Sequence, residues 1–392
     1  MNTLTLSLTG RIDANNAPKV EAEIADALAK NPGAVPVFDA SGLEYISSAG
    51  LRVLLKFRKQ FGKSLDVIDV SNDVYDIFSV TGFTELLNVR KKLREISIEG
   101  CPVISGGGFS TIYRLDAETI VKVFDKVPTP LAKVEADRTT SREVFLHDIP
   151  TAIAYDVVRA GNHYGLVYEM IDADTVAGTL TKRPELLEEL GLKMARLMKK
   201  LHTTEFDAGT FPDLRDFLRG MVQLPFNMGL ITAEDKALID GLIDRIPGRN
   251  TFLHLDYHPK NIMFSNNELV LIDVGEAALG HPIADLMMSY THCVYIARSW
   301  SGAGNDLHEK AMGLDHKTLG ALWDVIMPEY FGTTDADTLR EYEEIISGYS
   351  PLMMLVSASI IPIPDELRPS IAAPMMERLR KIIPTLQVIE GI

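Results

Sequence analysis

Two neighbouring segments decide the fold: His254-Leu255-Asp256-Tyr257-His258-Pro259-Lys260-Asn261 and Leu269-Val270-Leu271-Ile272-Asp273. Asp256 precedes Asn261 by five residues, the spacing of a catalytic loop in which a carboxylate orients or deprotonates a hydroxyl and an amide reaches a metal ion. The apolar run before Asp273 predicts a short buried strand, which would present this carboxylate as a second oxygen ligand for Mg²⁺. Singly, each carboxylate is more typical of a turn. Together they predict phosphoryl transfer.

These segments resemble the catalytic loop and metal-binding segment of the aminoglycoside phosphotransferase and choline kinase-like families, His-Gly-Asp-x-His-Pro-x-Asn followed by Ile-Asp-x-x-x-Ala. Leu255 stands where these families have glycine, and Val274 where they often have Trp or Phe. Neither change removes a ligand. The resemblance implies a protein-kinase-like fold in which His254 brackets the catalytic loop and Asp285 anchors it through backbone amides.

Upstream, residues 104–115 predict a strand, a glycine-rich turn and a second strand. Glycines let backbone amides approach a phosphate closely, although a plain hairpin turn is the alternative. Lys122 follows inside an apolar strand, as an edge-strand charge or as the group that holds the α- and β-phosphates. The order of these features favours a nucleotide site, whose loop residues would be Gly106, Gly107, Gly108, Phe109 and Ser110.

A phosphate-binding lysine needs an acidic partner on the next helix, and Glu135, Asp137 and Glu143 are all candidates. The family resemblance favours Glu135 or Asp137 and leaves the choice between them open. It also implies that the strand 164–171 is the hinge, where the backbone of Glu169 and Ile171 would pair with adenine. ATP and Mg²⁺ are therefore the expected cofactors.

The beginning of the chain predicts a separate α/β unit, because strands and helices alternate there. A helix is expected over 17–30, strands over 35–39 and 65–70, and a second helix over 51–61, with Ser47 or Ser48 as its N-cap. Residues 1 to about 95 resemble the STAS domain of bacterial anti-sigma-factor antagonists. The resemblance implies that Ser48 is a phosphoacceptor, with Ala49 at the second hydroxyl position and Ser47 at the acidic position.

Composition limits the other possibilities. The 392 residues are enough for two or three domains, and a net charge of −15 disfavours nucleic acid and anionic membranes as partners. Two cysteines, Cys101 and Cys293, cannot form a disulfide framework, which suggests a reducing cytoplasm. The start of the chain lacks a signal-peptide pattern, and the apolar window 352–363 is too short to span a bilayer. After Tyr290 only helices are expected, over 317–325, 337–347, 352–361 and 375–386.

The predicted architecture is an α/β STAS domain followed by an α+β, bilobal kinase-like domain with a helical C-terminal lobe. Its predicted boundaries are 1–96 for the STAS domain, 97–100 for a linker, 101–171 for the N-lobe and 172–392 for the C-lobe. The predicted function is ATP-dependent transfer of phosphate to a hydroxyl of a small molecule or a protein serine, Ser48 included. A protein partner is expected for the STAS domain. The alternative is a non-catalytic signalling module that senses nucleotide.

Overall fold

The computed structural model describes residues 3–299, 303–361 and 363–391. The chain divides into two compact units, one of Met1–Ser97 with Val157–Asn162 and one of Ile98–Asp156 with His163–Ile392. Among the described residues, no helix is both long enough and apolar enough to cross a membrane.

The first unit is built on a four-stranded parallel sheet in the order β1-β2-β3-β4. Its strands are β1 Thr3–Ile12, β2 Val35–Ile46, β3 Asp66–Val70 and β4 Asn88–Lys91. Parallel neighbours need crossover connections. These are the helices α1 Ala17–Lys30, α2 Ser48–Phe61 and α3 Asn72–Val80. Strand and helix residues such as Phe38, Leu54 and Phe78 fill the core between them.

Two further strand segments belong to this unit. Strand β5, Arg94–Ile96, pairs in parallel with residues 158–160 of strand β9, Ala154–Ala160. Regular structure therefore continues through Glu95 and Ile96, immediately before the predicted linker.

The second unit begins with antiparallel strands in the order β10-β8-β7-β6. They are β6 Val103–Gly106, β7 Thr111–Arg114, β8 Thr119–Val123 and β10 His163–Glu169. Helix α4, Leu131–Leu146, follows β8 and buries Val134, Asp137, Ser141 and Val144. That spacing of three to four residues places the buried side chains on one face of the helix.

The rest of the second unit is mostly helical. Its first helices are α5 Val176–Lys182, α6 Leu187–Thr203, α7 Leu214–Asn227 and α8 Ala233–Asp244. Short strands then frame two loops: β11 Asp174–Thr175, β12 Phe252–Leu253, β13 Ile262–Ser265, β14 Glu268–Leu271 and β15 Ala278–Leu279. Helix α9, Ile283–Tyr290, continues through a π-helical turn, Thr291–Tyr295, into α10, Ile296–Ser299. The last helices are α11 Ala303–Met312, α12 His316–Phe331, α13 Ala336–Ile360 and α14 Arg368–Ile382.

The helices after Tyr290 agree with the sequence in kind but not in number. The predicted helices 337–347 and 352–361 are wrong as separate elements, because α13 runs through both. Pro351 lies inside it, and a Cβ at Gly348 would lie 2.4 Å from Leu386 Cδ1. Glycine at position 348 is explained by this close packing and not by a break in the helix, because a side chain there would displace Leu386.

Candidate active site

The loop between β12 and β13 is held from below by one buried carboxylate. Asp285, in the first turn of α9, is fully buried and accepts the backbone N–H of His254 at 2.9 Å and of Leu255 at 2.6 Å. His202 Nε2 lies 3.1 Å from the same carboxylate. Leu255 has φ of +62°, a conformation that costs a non-glycine residue about 1–2 kcal/mol. The hydrogen bonds to Asp285 hold the loop in this shape.

Asp256 is held in a defined orientation while part of its side chain stays accessible. Asn261 Nδ2 donates to Asp256 Oδ2 at 2.7 Å and to its backbone oxygen at 3.1 Å, and His258 Nε2 lies 3.3 Å from Oδ1. The side chain is 44% exposed. Burial acts to raise the pKa of this carboxyl, but the positive charge that His258 and the nearby His292 and His254 carry at acid pH, together with the His258 hydrogen bond, outweighs burial and keeps the pKa below its ordinary value. The Asp256 carboxylate is therefore ionised, aligned and reachable.

His254 connects this loop to the strand that leads to Asp273. Its Nδ1 accepts the backbone N–H of Asp256 at 3.2 Å, so the ring proton is on Nε2 and is donated to the carbonyl of Ile272 at 3.1 Å. The neutral His254 ring thus links the backbone at Asp256 to the backbone just before Asp273, the two predicted carboxylates.

Asp273 and Lys122 form an ion pair. Asp273 follows β14 in a left-handed conformation, φ +61°, and its Oδ1 lies 2.5 Å from Lys122 Nζ on β8. The carboxylate side chain is 51% exposed and the lysine only 16%. The structure therefore brings Lys122 together with the predicted metal ligand, 151 residues later in the chain.

Within the described residues, no acidic residue of α4 forms an ion pair with Lys122, although the charge of Lys122 acts to lower the pKa of Asp137. Lys133, which the sequence did not single out, lies 3.0 Å from Asp137 and 3.0 Å from Glu276, and donates to the carbonyl of Gly275 at 3.1 Å. Burial raises the pKa of Asp137, and Lys133 acts against this rise. Glu135 makes no ion pair within the described residues. Glu143 contributes its backbone carbonyl to His147 Nδ1 at 2.9 Å.

Gly275 allows α4 to approach the segment after Asp273. A Cβ at this position would lie 2.8 Å from Asp137 Cγ, which is closer than real contacts allow. We therefore expect Gly275→Ala to destabilise the second unit by about 1–3 kcal/mol, because Asp137 or the loop must move. The melting temperature measures this effect. Gly241→Ala is the matched control: its Cβ meets nothing within 4 Å and it lies in α8, where alanine is favoured over glycine. Equal melting temperatures for the two variants would contradict the steric explanation.

The glycine-rich loop is a tight turn with open space around it. The N–H of Gly107 donates to the carbonyl of Ser110 at 3.0 Å, and Phe109 is 58% exposed. A Cβ at Gly107 or Gly108 would meet nothing within 4 Å. The protein itself therefore does not require glycine at these two positions.

The predicted hinge offers a backbone donor at Ile171. Glu169 uses its side chain to accept the N–H of Ile153 at 2.9 Å. The N–H of Ile171 makes no hydrogen bond within the part of the chain that the structure describes. It can therefore donate to a ligand, whereas the Glu169 side chain has a structural role.

In the first unit, the cap of α2 separates the two serines. Ser47 is the N-cap and its Oγ accepts the N–H of Ala49 at 3.2 Å. Ser48 is the first helical residue and is exposed. Its hydroxyl therefore lies at a helix N-terminus, where the helix dipole favours negative charge.

Three histidines beyond the loop that carries Asp256 form an arrangement that the sequence did not predict. His292 Nδ1 lies 3.2 Å from His308 Nε2, His308 Nδ1 lies 2.9 Å from His316 Nε2, and His316 Nδ1 lies 3.5 Å from Glu309 Oε1. We call these four side chains the histidine row. No cluster of three or more His, Cys, Asp or Glu that could hold a metal ion occurs in the described ranges. The four residues are irregularly spaced along the chain, so no sequence pattern predicted the row.

Burial keeps His292 and His308 of the histidine row uncharged. It lowers the pKa of His292 to about 4 and that of His308 to about 3, from an ordinary value of 6.5, and neighbouring imidazoles add to the effect. At neutral pH both rings are neutral.

This titration makes stability depend on pH. Between pH 6.5 and about 4 the unfolded chain binds these protons and the folded protein does not, so stability present above pH 6.5 is lost as the pH falls. We expect the free energy of unfolding to fall by at most about 1.4 kcal/mol per pH unit for each histidine. The melting temperature should therefore fall less steeply from pH 7 to pH 5 in His308→Gln than in the wild type. Parallel curves would show that His308 is not the titrating group.

Two family profiles match this chain. The phosphotransferase enzyme family matches residues 99–311. This is more than half of the sequence, and the chain belongs to that family. The STAS domain profile described as "Mlab, STAS domain" matches residues 1–89. Both resemblances predicted from the sequence are confirmed, as is the combination of an α/β STAS domain with a kinase-like domain that is helical in its C-terminal part.

Individual relatives resemble one unit or the other. The anti-sigma factor antagonist BtrV of Bordetella bronchiseptica, as that protein is named, is 36% identical over 89 residues, which are 22% of this chain and 76% of that protein. The ADP-bound aminoglycoside phosphotransferase APH(2'')-Ib is 16% identical with a TM-score of 0.46, covering 74% of this chain and 95% of that one. A choline/ethanolamine kinase family protein from Mesorhizobium loti is 14% identical with a TM-score of 0.44, covering 73% and 89%.

Proposed function

We propose that this protein transfers the γ-phosphate of ATP to a hydroxyl group, with Asp256 as the base and a STAS domain as a regulatory unit. The observation that carries the proposal is the alignment of Asp256 by Asn261 and His258, with an exposed side chain and a lowered pKa. An acceptor hydroxyl would lose its proton to Asp256 as its oxygen bonds to phosphorus, and the bond to the departing ADP would break.

The side chains near Asp256 are suited to Mg²⁺. Asn261 uses Nδ2 for both contacts with Asp256, so its Oδ1 remains available as a ligand. Asp273 presents an exposed carboxylate, and Mg²⁺ prefers such oxygen ligands. When bound, Mg²⁺ would neutralise charge on the phosphates. We assign Asn261 and Asp273 as the residues that would hold it.

The nucleotide would occupy the other side of the proposed site. Lys122 would hold the α- and β-phosphates, the loop Gly106–Ser110 would cover them, and the free N–H of Ile171 would pair with adenine. Asp137 and Lys133 would act indirectly, by holding the segment that follows Asp273. The boundaries 1–96, 97–100, 101–171 and 172–392 remain our division of the chain into functional parts.

The decisive experiment is transfer of ³²P from γ-labelled ATP with Mg²⁺, in the wild type beside Asp273→Ala. Acceptors are a panel of aminoglycosides, choline-like alcohols and sugars, and the protein itself. Asp207→Ala is the control, because Asp207 is an exposed residue of the same unit. Label on any acceptor, lost only in Asp273→Ala, would support the proposal. Saturable ATP binding without transfer would favour the nucleotide-sensing module instead.

A specific observation favours a second role for the first unit. Its match to an anti-sigma factor antagonist and the exposed Ser48 at a helix N-terminus support a protein partner and a phosphorylation site. We propose Ser48 as an acceptor within this chain or on a second copy. Label that disappears in both Asp256→Ala and Ser48→Ala would agree with this idea. Label lost in Asp256→Ala but retained in Ser48→Ala would exclude Ser48 as the acceptor.

A further inference from the structure

The partners of the histidine row determine where each ring carries its proton. Glu309 is a carboxylate and accepts the backbone N–H of His316 at 2.8 Å through the same oxygen that faces His316 Nδ1. A protonated Nδ1 faces this oxygen favourably, and in the neutral form of the His316 ring Nε2 then has a lone pair. That lone pair can only accept, so His308 donates from Nδ1, and His308 Nε2 in turn accepts from Nδ1 of His292.

The opposite proton order is disfavoured by the same carboxylate. If every ring carried its proton on Nε2, the Nδ1 lone pair of His316 would face Glu309 Oε1 and the two would repel. The order set by Glu309 aligns all the N–H bonds in one direction. Such chains of hydrogen bonds polarise one another and become stronger. The row is therefore a single ordered unit that runs across α12, α11 and the π-helical turn.

The inner end of the row reaches the catalytic loop. The ring of His292 meets that of His258 edge to face, with centroids 5.4 Å apart and planes at 76°. The backbone N–H of Lys260 donates to His258 Nδ1 at 3.3 Å, so the proton on Nε2 points to Asp256 Oδ1. Helix α11 has a second link to the same loop, because Lys260 Nζ donates to the carbonyl of Ala311 at 2.8 Å.

We propose that His292, His308, His316 and Glu309 are positioning residues that fix the His258 ring and, through it, the orientation of the Asp256 carboxylate. This proposal rests on the proposed function, in which Asp256 is the base. It assigns to α11 and the start of α12 a role in transfer that does not require contact with the reacting atoms.

The chemistry of the row supports a role beyond packing. Partly or fully buried imidazoles lose solvation, and apolar side chains of similar size would fill the same space without needing partners. His292 also lies on a π-helical turn, a rare element that is found often at functional sites.

Proton positions give a first test that needs no activity. The full-length protein labelled with ¹⁵N-histidine should show His292, His308 and His316 as Nδ1–H tautomers, which are the less common form. Glu309→Gln should change these signals, because an amide can also donate and no longer fixes the order. Nε2–H tautomers in the wild type, or signals unchanged in Glu309→Gln, would overturn the ordered row.

Steady-state hydrolysis of Mg-ATP, with water as acceptor, provides the second test. We expect His308→Leu to lower kcat about 10- to 100-fold with an unchanged KM for ATP. His308→Gln should keep kcat within a few-fold, because one amide can accept from His292 and donate to His316. An unchanged kcat in His308→Leu, or an equal loss in both variants, would overturn the positioning role.

The two tests fail in different ways. In one outcome, the wild type shows the Nδ1–H signals yet neither hydrolyses ATP nor transfers phosphate. That result would show that the proposed function is wrong, and it would overturn the positioning role as well, although the ordered row would stand. If His308→Leu does not fold, the comparison of Glu309→Gln with the wild type, by tautomer signals and kcat, carries the test. A kcat for Glu309→Gln equal to that of the wild type would then overturn the proposal.

Discussion

Asp256→Asn should reduce phosphate transfer about 1,000-fold, within the range that general bases contribute to catalysis. The substituted side chain has nearly the same size and can still accept from Asn261 Nδ2, which lies 2.7 Å from Oδ2 in the wild type. It cannot take a proton from the acceptor. Folding and nucleotide affinity should therefore stay close to wild type while the chemical step is lost.

Single-turnover transfer from γ-labelled ATP measures this loss directly, and a fluorescent ATP analogue reports nucleotide binding. Asp207→Asn is the matched control, since it makes the same chemical change at an exposed position of the same unit. Transfer by Asp256→Asn within ten-fold of the wild type would remove Asp256 from the role of base.

Asp285→Ala is expected to affect both stability and activity. The carboxylate is fully buried and faces three donors: the N–H groups of His254 and Leu255, and His202 Nε2. Its removal leaves these donors without a partner, at a cost of about 3–5 kcal/mol. Leu255 would no longer be held at φ +62°, so the loop should relax and transfer should fall at least about 100-fold.

Asp335→Ala separates this effect from the loss of an ordinary cap. Asp335 also accepts a backbone N–H, from Thr338 at 2.9 Å, but it caps the exposed start of α13. Its replacement should cost about 1 kcal/mol and leave transfer unchanged. Chemical denaturation followed at the second unit, together with the transfer assay, makes the comparison. If Asp285→Ala behaves like Asp335→Ala, the hydrogen bonds from His254 and Leu255 to Asp285 do not hold the loop in its active shape.

The sequence predicts best where function and structure depend on residues that are close in the chain. Asp256 and Asn261 contact each other because their five-residue separation closes a single loop. The helix predicted over about 17–30 agrees with α1, Ala17–Lys30, since Pro18 suits a first turn and the apolar spacing is regular. The sequence left Ser47 and Ser48 open as the N-cap of α2, and the backbone geometry identifies Ser47.

Contacts between distant segments had no such signal. Lys122 and Asp273 are 151 residues apart, and the competing candidates on α4 were nearer in sequence. The sequence did not indicate that Asp137 would form its ion pair with Lys133, one helical turn earlier, and not with Lys122. The histidine row combines a π-helical turn, the end of α11 and the first residue of α12, so no single periodic pattern contains it. Pairings that depend on how helices pack cannot be read from local spacing.

The ion pair of Lys122 with Asp273 has a consequence for the order in which ligands are recruited. On the proposed function, each member of this pair is the partner of a different ligand, the lysine of the nucleotide phosphates and the carboxylate of Mg²⁺. Either ligand alone must break the pair and leaves the other charge without its counter-ion. The ligand that arrives second finds its residue already released, so each must raise the affinity for the other by the same factor. Without ligands, the protein neutralises its own site; on the proposed function, we expect it to accept the metal–nucleotide complex as one unit and to discriminate against its separate components.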